Sequence, residues 1–412
     1  MNVGFIATRL AGTDGVTLET AKLAAVMRKH GHQVYYCAGE LDGEAPGLEA
    51  SELHFEDPVA LELGRRAFEQ QQEEGRLLPD IAARAEQLLP PLRHFIHDFH
   101  IDFAVVQNAF AIPMQLPLAL ALAQVLQEAG IPALAHNHDL YWERERFVQN
   151  NIPDFLDSYF PPALPRLQHA TINSLARRAL QKRRGLPSVV IPNVFDFSTP
   201  APGIDDYNRD LRQSIGLNRD DWFVLQPTRV VPRKGIELAI ELLHRLGDRR
   251  AKLVITHRAG DEGLDYLHRL MDLAHSKDVD LRYVADRIGP GRGTDGHRRR
   301  IYSLWDAYPH ADLVTYPSLV EGFGNALLET IYFRLPALVN RYDVYKADIA
   351  PLGFRFAEID GAITGEALAA VRQWLDEPKT ARSAVDLNYT LAARHFSYQT
   401  LEALLLPLLP VN

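Results

Sequence analysis

The chain has 412 residues, 47% of them hydrophobic and 24% charged, and its 44 Lys and Arg against 53 Asp and Glu give a formal net charge of −9. That length exceeds the roughly 250–300 residues at which a single core stops growing, so two globular domains are expected, and the acidic balance argues against general nucleic-acid binding while leaving room for a local cationic pocket. The single cysteine, Cys37, excludes an internal disulfide, and its setting in Val34–Ala38 reads as a small buried hydrophobe rather than a reactive thiol.

The chain begins with a strand-like run, Val3 to Ala7, with no signal-peptide pattern before it, so a cytoplasmic location is expected. Thr17 to His30 reads as a helix with Arg28, Lys29 and His30 in its last turn and Gly31 just beyond it. Gln33 to Cys37 is the next strand. Leu61 to His100 is rich in Glu, Gln and Arg at helical spacing and reads as an amphipathic helix pair. Asp102 to Gln107 is a strand, followed by a Leu/Ala-rich helix from Pro117 to Glu128. The apolar stretch Ile112–Leu126 carries Pro113, Gln115, Pro117 and Gln124 and falls short of the ~20 apolar residues a membrane span requires. Pro132–Ala135, Ala170–Asn173 and Ser188–Ile191 continue the strand series.

A Pro, Gly and Asp segment, Ser198 to Asp206, marks a linker and puts the domain boundary near residue 200. Beyond it the pattern repeats, with strands at Trp222–Gln226, Lys252–Thr256, Leu281–Val284, Leu313–Tyr316 and Ala337–Asn340 and helices between them. Strands alternating with helices predict an α/β protein with a parallel sheet in each half, helices covering both faces.

Ligands of such sheets bind beyond the carboxyl ends of the strands, and four strand ends carry chemistry. Gly12, Thr13, Asp14 and Gly15 lie between the first strand and its helix. They form either an anion-binding loop or a tight turn with Thr13 or Asp14 as helix cap. The loop is not GxGxxG, which disfavours a dinucleotide cofactor and a dehydrogenase. His136, His138 and Asp139 follow a strand beside Tyr141 and Trp142, a sugar-pocket composition. Two histidines two apart are a weak metal pattern, and no metal site is assigned. Arg229, Arg233 and Lys234 cluster where a strand gives way to a helix, ready for charge-assisted hydrogen bonds to an anion. Finally, Glu321-Gly322-Phe323-Gly324-Asn325 precedes a helix bearing Glu329. Two carboxylates so spaced can hold the hydroxyls of two parts of one elongated ligand.

Arg229 and Lys234, then Glu321-Gly322-Phe323-Gly324 and Glu329, resemble the retaining nucleotide-sugar glycosyltransferases of family 4, which have the GT-B fold. Ile191-Pro192-Asn193-Val194-Phe195-Asp196 resembles that family's I-P-N-G-V-D segment, and Arg394-His395-Phe396-Ser397-Tyr398 its R-F-S-W segment. Val194-Phe195 replaces the usual Gly-Val, and Thr228 the usual Gly before Arg229. The resemblance spans nearly the whole chain and is best in the second half.

It implies two Rossmann-like domains facing a central cleft: residues 1–200 on the acceptor side, 201–385 binding the nucleotide-sugar, and 386–412 returning as a helix onto the first. It implies that Arg229 and Lys234 hold the donor diphosphate, Glu321 the transferred sugar and Glu329 the ribose. The backbone of Gly322, Phe323, Gly324 and Asn325 would face the sugar or diphosphate. His136 or His138 would touch the donor sugar; strand-end position favours the first, an adjacent Asp139 the second. The Gly12–Gly15 loop would face phosphate and acceptor. The expected activity is transfer of a hexose, glucose or mannose, from a UDP- or GDP-sugar to a hydroxyl acceptor with retention, without a cofactor or metal. A small polar molecule or glycan is favoured over a lipid as acceptor. A sugar phosphorylase and a non-catalytic nucleotide-sugar binder are the competing readings.

Overall fold

Apolar runs closed by glycine or polar turns become the strands of two parallel sheets in the computed structural model, which describes residues 1–12, 14–43, 46–70, 74–259 and 263–410. The chain divides into two compact units, Met1–Val194 with Tyr398–Asn412, and Phe195–Ser397.

The first unit runs β1 (Asn2–Ile6), α1 (Gly15–Lys29), β2 (Gln33–Ala38), β3 (Gly47–Glu49), α2 (Pro58–Phe68), α3 (Glu74–Asp98), β4 (Phe103–Gln107), α4 (Leu116–Ala129), β5 (Ala133–Asn137), α5 (Glu145–Val148), α6 (Pro153–Tyr159), β6 (Leu167–Thr171), α7 (Ser174–Arg184) and β7 (Val189–Val190). Its sheet has the order β3-β2-β1-β4-β5-β6-β7, every pair parallel. β4 and β5 are buried at every position, as strands covered on both faces must be. Pro58 starts α2 behind Asp57, whose carboxylate accepts from the N–H groups of Val59 and Ala60. Gly130, at φ +62°, closes α4 in the left-handed conformation.

The second unit runs α8 (Leu211–Ser214), β8 (Trp222–Gln226), α9 (Ile236–Leu246), β9 (Ala251–Ile255), α10 (Asp265–Ser276), β10 (Asp280–Tyr283), β11 (Ile288–Gly289), β12 (Gly293–Thr294), β13 (Arg300–Ser303), α11 (Leu304–Ala307), β14 (Leu313–Tyr316), α12 (Asn325–Tyr332), β15 (Ala337–Asn340), β16 (Ala357–Ile359), α13 (Gly365–Asp376) and α14 (Arg382–His395). Its main sheet, β10-β9-β8-β14-β15-β16, is also parallel throughout. The strands β11, β13 and β12 form a separate small sheet that the sequence pattern does not announce.

The last helix, α15 (Tyr398–Leu405), belongs to the first unit. Leu401, Leu405 and Leu408 are buried with Val3, Phe5, Leu23 and Met27, and Glu402 pairs with Lys29 of α1. The chain enters the second unit at Phe195 and leaves it after Ser397, so α14 lies in the second unit. There Phe195 N–H donates to the Phe396 carbonyl at 2.8 Å, which joins the I-P-N-like and R-F-S-like segments.

Candidate active site

In the second unit the strand order reverses between β8 and β14. Such a switch point leaves a crevice at the carboxyl ends of the two strands. Gln226, the last residue of β8, ties the strands together: its amide oxygen accepts from Thr315 Oγ1 at 2.6 Å, and its amide donates to Thr228 Oγ1 at 2.7 Å. A single 3-10 turn, Pro232–Lys234, then leads into α9 through Gly235 at φ +58°. The loop after β14 folds back on this turn, with Leu319 N–H donating to the Arg233 carbonyl at 2.8 Å. A Cβ on Gly235 would lie 2.6 Å from the Pro317 carbonyl oxygen, so glycine is needed both for its dihedral and for the close approach.

This backbone contact brings Lys234 and Glu321 together, although 87 residues separate them. Lys234 Nζ pairs with Glu321 Oε1, and Arg233 Nη1 lies 3.4 Å from Glu321 Oε2. The Lys234 and Glu321 side chains are only 10% and 9% exposed. Burial pushes the Glu321 carboxyl up, but Lys234 and Arg233 outweigh it and hold it below the usual carboxylate range. Burial draws the Lys234 ammonium down against the pull of Glu321, and Arg233 and Arg229 add to that depression. The ammonium lies 6.0 Å from the centre of the buried Tyr316 ring. Arg229 itself is exposed.

Gly324 takes φ +133° at the N-cap of α12 and supplies no side-chain hydrogen bond there. A Cβ on it would meet Tyr342 Oη at 2.8 Å and Tyr316 Oη at 3.0 Å. Tyr342 Oη donates to the Phe323 carbonyl at 2.5 Å and so fixes the loop. Gly322, Phe323 and Asn325 lie at the N-terminus of α12, next in sequence to Glu321, where the helix dipole favours an anion. Glu329 lies on α12, and its Oε2 accepts from Tyr308 Oη at 2.9 Å.

In the first unit, His136 is the penultimate residue of β5, and His138 directly follows the strand. Their rings lie 4.6 Å apart, and both face one amide: His136 Nδ1 is 3.0 Å and His138 Nε2 is 3.1 Å from Gln107 Oε1. Burial, with His138 next in weight, holds His136 well below the ordinary imidazole range; burial and then Lys22 lower His138 to about 4. Both rings are therefore neutral near pH 7. The Asp139 carboxylate, beside His138 in sequence, is engaged by Arg144 instead. Asp14 caps α1 by accepting from Val16 N–H at 2.9 Å and Thr17 N–H at 3.1 Å, while Arg9 holds its other oxygen at 3.0 Å. Gly12, at φ +77°, donates its N–H to Asp42 at 2.5 Å. Gly15 opens α1, and Thr13 lies outside the described residues. Among the described residues no three His, Cys, Asp or Glu side chains gather as metal ligands, and no helix is long and apolar enough to cross a membrane.

The sequence groups Arg233 with its neighbouring cations without giving it a role, and its patterns do not single out Gln107 or Tyr308. Gln107 closes a fully apolar strand, so a polar residue at a strand end was its only signal. Tyr308 precedes β14 at the start of the 3-10 turn Tyr308–His310, with no signal of its own.

No family model matches the chain. The mannosylglucosylglycerate synthase of Petrotoga mobilis is 33% identical over 381 residues, covering 87% of this chain and 86% of its own. That of Thermotoga maritima is 32% identical over 98% of this chain and 99% of its own. Among solved structures, Anabaena HepE in complex with UDP superposes with a TM-score of 0.66 at 14% identity, covering 98% of each chain. Sucrose-phosphate synthase from Thermosynechococcus elongatus superposes at 0.68 and 13% identity, over 98% of this chain and 96% of its own. With two parallel α/β units of the GT-B type and likeness to the two synthases over 87% and 98% of its length, the chain belongs to the glycosyltransferase family of the mannosylglucosylglycerate synthases.

Proposed function

We propose that the enzyme transfers a hexose, mannose in the first instance, from a nucleoside diphosphate sugar to a hydroxyl of a small acidic glycoside of the glucosylglycerate type, with retention of configuration. The sugar and acceptor follow the name borne by the two synthases to which the chain is similar over most of its length. The observation that carries the chemistry is the buried Lys234–Glu321 pair with Arg233 at the β8/β14 switch point. It sets a cation for a diphosphate next to a carboxylate for sugar hydroxyls.

Cleavage of the sugar–phosphate bond builds positive charge on the anomeric carbon and negative charge on the leaving diphosphate. Lys234, Arg229 and the N-terminus of α12 stabilise that diphosphate with fixed charge, a role that in other enzymes falls to a metal ion. In this reading Lys234 exchanges Glu321 for phosphate when the donor arrives. Glu321 is then released to accept from the hexose hydroxyls, and Glu329 accepts from the ribose. The neutral His138, with 7% of its surface exposed against 1% for His136, is the better placed of the two to meet a ligand. The acceptor oxygen attacks the face the diphosphate leaves, and its proton passes to the departing phosphate oxygen.

The test is product analysis with UDP- and GDP-linked glucose and mannose in the presence of glucosylglycerate. A new α-linked disaccharide glycerate from an α-linked donor supports the reading. A β-linked product removes the retention, and hexose 1-phosphate formed from a glycoside and inorganic phosphate would reinstate the phosphorylase.

A further inference from the structure

Tyr308 and Glu329 form a contact that the transfer chemistry does not itself explain. Tyr308 is fully buried, yet its hydroxyl reaches out to a half-buried carboxylate. The ring is held flat against Phe333, with centroids 4.7 Å apart and planes 6° apart. Phe333 follows the last residue of α12, so the stack joins the tyrosine to the helix that carries Glu329.

The backbone of Tyr308 is anchored independently. It opens the 3-10 turn Tyr308–His310 directly after α11, whose start is closed by a reciprocal Ser303–Asp306 capping box. His310 Nε2 at the end of the turn lies 2.9 Å from the Asn208 carbonyl. The phenol therefore has little freedom of its own. Its hydrogen bond ties one oxygen of the Glu329 carboxylate to this anchored ring.

We propose that Tyr308 is a positioning residue that sets the Glu329 carboxylate for the ribose diol of the donor, and so determines the preference for a ribonucleotide over a 2′-deoxyribonucleotide. This rests on the reading of Glu329 as the ribose contact. Burial and the nearby Glu329 keep the phenol protonated far above neutrality, so it donates throughout the working pH range. A glutamate free to rotate would divide its time among rotamers and lose the entropic advantage of a fixed acceptor pair.

The experiment titrates full-length wild type, Tyr308→Phe and Glu329→Gln with GDP, 2′-deoxy-GDP, UDP and 2′-deoxy-UDP by calorimetry, and measures KM and kcat with the cognate nucleotide-sugar. Phenylalanine keeps the stack on Phe333, so the fold is retained. The wild type is expected to prefer one ribonucleotide over its 2′-deoxy form by about tenfold, the equivalent of one hydrogen bond to a charged group. Glu329→Gln should abolish most of that ratio. Tyr308→Phe should reduce it to within about threefold of unity and raise KM for the donor about tenfold while kcat stays within about twofold. A merely structural tyrosine would lower the melting temperature and leave the ribo-to-deoxy ratio unchanged. If Glu329→Gln loses the ratio and Tyr308→Phe keeps it, the positioning role is refuted while the ribose reading stands. If Glu329→Gln keeps it, the ribose reading fails and the role of Tyr308 falls with it.

Discussion

Replacing Lys234 by methionine tests the ion pair through stability and activity at once. Glu321 is 9% exposed, so loss of its closest partner leaves a buried carboxylate with Arg233 at 3.4 Å as the remaining cation. Removing one member of a buried pair costs about 3–5 kcal/mol, and the residual Arg233 contact puts this case at the lower end, about 3 kcal/mol. For a unit of roughly 200 residues that corresponds to a fall of about 6–12 °C in the melting temperature. Turnover should drop by a factor of about 10²–10³, the effect of removing one donor to developing charge. The double variant Lys234→Met with Glu321→Gln leaves no unpaired charge behind. It should recover most of the lost stability, because replacing both partners of a buried pair is often close to neutral. It should recover none of the activity. Differential scanning calorimetry and labelled-hexose transfer on the three proteins separate the effects. Wild-type turnover in Lys234→Met, or activity returning along with stability in the double variant, would refute the pair as donor machinery.

Other outcomes follow from the same geometry. Gly324→Ala forces a side chain into φ +133° against two tyrosine hydroxyls, one of them fixed by the Phe323 carbonyl. It should lose about 1–3 kcal/mol from the backbone alone, read by denaturant titration, together with donor binding. The fold should also weaken in mild acid. His138 is held down at about 4 in the folded chain against an ordinary 6.5, so the unfolded chain takes up its proton first as pH falls. Stability is therefore fully present above about pH 6.5 and declines toward pH 4, with His138 contributing on the order of 3 kcal/mol over that window. His138→Gln should flatten the melting temperature across the same range, and an unchanged slope would contradict the neutral buried ring. Gln107→Leu takes away the amide that faces both histidines and should lower turnover more than donor affinity; equal losses in both would point to a general structural defect. Treatment with EDTA should leave transfer intact if fixed cations alone carry the diphosphate, and full loss would require a metal.

What the sequence made legible was the part written in local patterns. The alternation of apolar runs with capped helices, such as α4 closing on Gly130, was enough to announce parallel sheets. Polar groups placed at strand ends pointed to Glu321, Lys234 and the two histidines. What it hid was set by long-range contact. That Lys234 and Glu321 neutralise each other depends on the Pro317–Val320 loop lying on the 3-10 turn, which no spacing encodes. Asp139 follows His138 directly, yet Arg144 takes its carboxylate. The short strands β11, β12 and β13 sit in a segment of Gly, Arg and Asp without hydrophobic period, and only their pairing with one another makes them strands. Tyr308 escaped for the same reason, since its partner lies 21 residues away across β14.

The most direct measurement is a crystal structure of the full chain with its cognate nucleotide-hexose bound. The expected result is that Lys234 Nζ has left Glu321 for the diphosphate, that Arg229 lies on the same diphosphate, and that Glu321 accepts from hexose hydroxyls. A nucleotide-hexose bound elsewhere, with the Lys234–Glu321 pair still closed, contradicts it.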